Sequence, residues 1–65
     1  MSVKKLKLVK YLESHNCHLH RNGSKHDIFK NNLTGKKTTV PRHPQLDKFL
    51  CDLICKQLEI PKMGE

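Results

Sequence analysis

The chain has 65 residues, enough for one domain that buries roughly 60% of the surface its unfolded form exposes. Thirteen Lys and Arg against six Asp and Glu give a formal net charge of +7, a field that attracts polyanions and puts nucleic acid first among partner classes, with an acidic protein surface as the alternative. No apolar run approaches the roughly 20 residues needed to cross a bilayer, and the basic N-terminus lacks the apolar stretch of a secretory signal, so a cytoplasmic protein with no membrane partner is expected.

Residues 2–14 place Val3, Leu6, Val9 and Leu12, with Leu8 beside them, about every three positions, which predicts a helix with Ser2 as its N-cap. Lysines 4, 5, 7 and 10 then fall mostly on the opposite side, read as a solvated face ahead of a phosphate-contacting one. Residues 17–21 alternate, Cys17 and Leu19 against His18 and His20, and read as a short strand. Asn22-Gly23-Ser24 is a turn signal because Asn and Gly tolerate positive φ, and it leads into a second extended stretch over residues 26–30. A further turn over residues 31–35 precedes a β-branched strand over 36–40, ended by Pro41. Phe49, Leu50, Leu53, Ile54 and Leu58 form a second helical stripe running to about Glu59, with Leu46 in the lead-in and Pro61 as the stop.

The expected architecture is therefore a single α+β domain of order α-β-β-β-α, spanning residues 1–65 with an ordered core over about 2–60. Both helices would cover one face of a three-stranded antiparallel sheet, leaving the other face wet and open to a ligand as wide as an RNA strand.

Cysteines 17, 51 and 55 are an odd number and are expected as reduced thiols. His15, Cys17, His18 and His20 crowd together, and Cys51 and Cys55 sit one helical turn apart, spacings that mimic metal-ligand pairs. Neither set repeats a Cys-x-x-Cys knuckle, and small thiols flanking an apolar stripe are ordinary packing residues, so no metal and no other cofactor is expected. On residue chemistry alone, none of the five histidines stands out as catalytic.

Two motifs carry more. Asn22-Gly23-Ser24-Lys25-His26 is followed, after a strand and a turn, by Gly35-Lys36-Lys37-Thr38-Thr39-Val40-Pro41-Arg42-His43-Pro44, and the pair resembles the two-part signature of HicA toxins. Lys56-Gln57-Leu58-Glu59-Ile60 is similar to the end of that family's last helix, so the resemblance covers nearly the whole chain. One departure is the long loop over residues 31–34, which would alter RNA access without touching the histidine.

The resemblance implies a fold like the double-stranded RNA-binding domain and the toxin role in a type II toxin-antitoxin system. It also implies an mRNA-cleaving endoribonuclease activity and a HicB antitoxin that covers the active surface. It assigns His26 as the catalytic histidine, with Gly23 and Ser24 forming the turn before it. Metal-free RNA cleavage needs a base for the 2′-hydroxyl proton and an acid for the leaving 5′-oxygen, and histidine suits either role.

Lys25, Lys36, Lys37 and Arg42 are candidates for phosphate contacts, since they flank His26 or lie on the neighbouring strand; Arg42 is equally a candidate for a structural role. His43 either supplies a second acid or base, or anchors its loop, and Ser24 either orients His26 or bonds its own backbone. Two non-enzymatic readings remain beside this one: a module that grips RNA without cutting it, and an interaction protein whose basic face serves only an acidic partner. Oligomeric state is not legible, a monomer being compatible with everything above.

Overall fold

The computed structural model describes residues 2–63, and its elements in chain order are β1 (Ser2–Lys4), α1 (Lys5–Ser14), β2 (Cys17–Asn22), β3 (His26–Asn31), β4 (Lys37–Pro41), β5 (Gln45–Asp47) and α2 (Lys48–Gln57). The fold is α+β, with a three-stranded antiparallel meander in the order β2-β3-β4. Helix α1 packs on β2 and α2 on β4. The chain is only 16 Å across its shortest dimension, which accommodates one layer of helices and one of strands.

Alternation along the central strand decides which side is covered. Phe29 and Asn31 of β3 and Thr38 and Val40 of β4 are buried, and they share the face on which Leu8, Leu12, Cys51, Ile54, Cys55 and Leu58 complete one core. Fully burying an aliphatic side chain of this size stabilises by roughly 1.5–3 kcal/mol relative to leaving it in water. The intervening residues, His26, Ile28 and Lys30 on β3 with Lys37 and Thr39 on β4, project from the opposite, uncovered face.

A second small sheet was not expected. β1 pairs antiparallel with β5, in the register Ser2 with Asp47, Val3 with Leu46 and Lys4 with Gln45. Ser2 is thus not an N-cap: its Oγ donates to Gln45 Oε1 at 3.0 Å, and α1 starts three residues later with no side-chain cap on Lys4. The strand pairing satisfies backbone groups that a helix start would have left open, and it lets Val3 pack against the core beside buried Leu46. Leu46 belongs to this lead-in, and Asp47 then caps α2 by accepting from Phe49 N at 2.9 Å.

Both apolar stripes differ from the expected ones, and in α1 the reason is the spacing of the row. A row at strict three-residue spacing drifts around a helix, and at 100° per residue Leu6 stands about 160° from Leu8. Leu6 is accordingly 68% exposed, and α1 buries Leu8 and Leu12 instead. In α2 the buried arc is Cys51, Ile54, Cys55 and the following Leu58, while Phe49 is 77% exposed and Leu53 is exposed with it. The cysteines are central members of the stripe, not its flanks.

The second helix ends two residues before Glu59. Glu59 is left-handed at φ 60°, its N–H donates to Lys56 O, and Ile60 N–H donates back to Cys55 O at 3.0 Å. The buried set extends beyond Ile60: Met63 lies in the core, and Tyr11 Oη donates to the carbonyls of Pro61 and Lys62, tying residues 61–63 to α1.

Candidate active site

His26 is the first residue of β3, exposed, on the uncovered side of the sheet, and opposite Pro41 in the β3–β4 register. Each neighbouring residue is placed by a separate local cause. Gly23 and His26 flank the two-residue loop of Ser24 and Lys25, both exposed, and the loop is closed by Gly23 N–H donating to His26 O at 2.8 Å.

The glycine is needed for proximity, not for handedness. Among the described residues positive φ occurs at Asn16, Gly35 and Glu59, so neither Asn22 nor Gly23 adopts the left-handed conformation the turn signal suggested. A Cβ on Gly23 would lie 2.6 Å from the His26 carbonyl oxygen, closer than any side chain is accommodated.

Arg42 follows β4 and reaches across this turn. Its Nε donates to Asp27 Oδ1 at 2.8 Å and its Nη2 donates to the Gly23 carbonyl, while Lys5 Nζ donates to Asp27 Oδ2 at 3.0 Å. Asp27 sits on the helix side of β3, its side chain 16% exposed. The Arg42 hydrogen bond first, and the Lys5 hydrogen bond second, hold its carboxyl below the usual carboxylate range. The structural option for Arg42 is therefore realised in the free chain.

The expected cations do not all gather at His26. Lys25 is adjacent to it, whereas Lys37 pairs with Lys30, four residues and about 13 Å along β3, and Lys36 lies further on, in the next turn. His43 is exposed in the short connection that follows Pro41, between Arg42 and Pro44, whose carbonyl accepts from Lys5 N at 2.9 Å.

The structure adds residues that the sequence reading passed over. Lys30 shares the open face with His26 at a four-residue separation, His18 stands opposite Lys30, and Arg21 stands opposite Ile28. Lys30 was readable from strand alternation. Arg21 was not, because the register shifts between Leu19 and Arg21 and leaves His20 as the extra residue. In β2, β3 and β4 the only acid is Asp27, which faces the helices, so the charge on the open face is of one sign.

At the opposite end of β3, Asn31 is 2% exposed. Its Nδ2 donates to Leu58 O at 2.7 Å, and its Oδ1 accepts from Leu33 N at 2.8 Å and Thr34 N at 3.3 Å. The long 31–34 loop is thereby pinned to the end of α2. Burial pushes the thiols of Cys17, Cys51 and Cys55 up from their ordinary range, and all three are free. Among the described residues no three His, Cys, Asp or Glu side chains converge as a metal site would require.

No curated protein and no solved structure shows a match to this chain. The family model described as HicA toxin of bacterial toxin-antitoxin matches residues 7–60, a span that includes both turns, the whole meander and α2. The chain belongs to the HicA toxin family.

Proposed function

We propose that this toxin is an endoribonuclease that cleaves mRNA without a metal, with His26 as its catalytic residue and a HicB antitoxin as its inhibitor. The observation that carries the reading is the position of His26: an accessible imidazole where the 23–26 turn meets an open sheet face whose only formal charges are positive.

An RNA strand lying on that face meets Lys25 beside the reacting phosphate, while Arg21, Lys30, Lys37 and Lys36 hold phosphates further along. The imidazole takes the 2′-hydroxyl proton, and an imidazolium supplies one to the leaving 5′-oxygen. Attack by the 2′-hydroxyl makes RNA the substrate and leaves DNA an inhibitor at most. Tyr11, Phe29 and Phe49 are the only aromatic residues, and Phe29 is buried, so recognition rests on the backbone and sequence preference is broad. The antitoxin covers His26 and the basic face through acidic groups of its own.

The test compares the wild-type chain with His26→Ala on a mixed-sequence RNA in excess EDTA. His26 is exposed, so the variant is expected to fold, to bind RNA with much the same salt-sensitive affinity, and to lose cleavage. Binding without cleavage by either protein would instead identify a non-catalytic RNA-binding module, and equal cleavage would remove His26 from the mechanism.

A further inference from the structure

We infer that Asp27 is a positioning residue for His26, acting through Arg42 on the 23–26 turn; the inference rests on the reading of His26 as the catalytic group. Two-residue hairpin loops ordinarily match the twist of their strands by adopting mirror-image turns with positive φ, and their flanking residues exchange two backbone hydrogen bonds. Here neither Ser24 nor Lys25 has positive φ. Of the two closing bonds, the one from Gly23 N–H to His26 O is made, and the Gly23 carbonyl is taken by Arg42. The turn that delivers His26 is thus held partly from outside.

Arg42 is aimed by Asp27. With Nε fixed on Asp27 Oδ1, the planar guanidinium presents Nη2 to Gly23. The second carboxylate oxygen pairs with Lys5, at the start of α1, a contact that reaches neither Arg42 nor the turn. Asp27 alternates with His26 along β3 and lies on the helix side of the sheet, away from an RNA on the open face. An acid under a cationic surface weakens polyanion binding, so its contribution lies in geometry and not in affinity.

The experiment measures kcat and KM on mixed-sequence RNA, together with hydrogen exchange of the Gly23 amide by NMR, for the wild type, Asp27→Asn, Arg42→Lys and Lys5→Gln. Asp27→Asn is expected to lower kcat by about tenfold, with KM unchanged or lower and the Gly23 amide exchanging faster. Arg42→Lys behaves similarly, because one ammonium cannot bridge Asp27 and the Gly23 carbonyl as the guanidinium does. Lys5→Gln removes an ion pair from Asp27 but leaves the Arg42 bridge, and it is expected to keep kcat.

An unchanged kcat in folded Asp27→Asn overturns the inference. So does an equal loss of kcat in Lys5→Gln, which would make the effect one of general stability. A wild type that does not cleave RNA sinks the functional reading instead, and the exchange rates then judge the brace by themselves: unchanged Gly23 protection in Asp27→Asn refutes it.

Discussion

The 31–36 turn at one end of β3 closes around a side chain that is 2% exposed, whereas the 23–26 turn at the other end closes on charged groups at the rim of the sheet. Asn31 spends its amide on Leu58 and on its own loop, neutral hydrogen bonds, the first of them buried, that are lost together if the side chain goes. Around His26, no side chain of comparable burial anchors the loop, and Arg42 held by Asp27 braces it at partial solvent exposure. Such pairs are individually weak, about 1 kcal/mol or less when exposed, and sensitive to salt. One strand therefore has a structural end and, on the proposed function, a chemical end, where exposure lets the His26 imidazole reach substrate.

The comparison breaks most visibly at the buried end. Asn31→Ala leaves the Leu58 carbonyl and two loop amides without their partner and is expected to cost about 2–3 kcal/mol, read as a lower urea midpoint, while any folded fraction keeps its 23–26 turn. At the other end, Gly23→Ala drives a Cβ into the His26 carbonyl and forces the backbone apart. We expect a smaller stability loss, about 1–2 kcal/mol, joined to a loss of RNA cleavage out of proportion to it.

Acid gives the finest test. The Asp27 carboxyl titrates below its unfolded value of about 3.9, so its stabilisation is complete above that pH and disappears as pH falls through the lowered folded value. Urea midpoints at pH 7 and pH 3 should therefore converge in Asp27→Asn relative to wild type, and the same step in Asn31→Ala should match the wild-type step.

Sequence patterning exposed the meander and the two helices because their alternation and periodicity are local. The β1–β5 pair escaped it, since Ser2 and Gln45 are 43 residues apart and a serine ahead of an apolar row reads equally as a cap. The first stripe misassigned Leu6 because a three-residue row drifts off one helix face, and the second misassigned Phe49 because it left out Cys51 and Cys55, Phe49 standing about 160° from Cys51. For the site, the two-part motif singled out His26, and charge singled out the lysines. The brace was invisible: Asp27 meets its partners 15 and 22 residues away, and nothing in a lone acid within a basic stretch says which cations will close on it.

The three cysteines carry a consequence of their own. Each is sealed in the core, and two of them line the stripe by which α2 is packed against the sheet, so an oxidant meets none of these sulfurs while the chain is folded. The fold itself screens these sulfurs from exchange with thiols and disulfides outside it. A mixed disulfide between one of these cysteines and an outside thiol would therefore record that a molecule had come open.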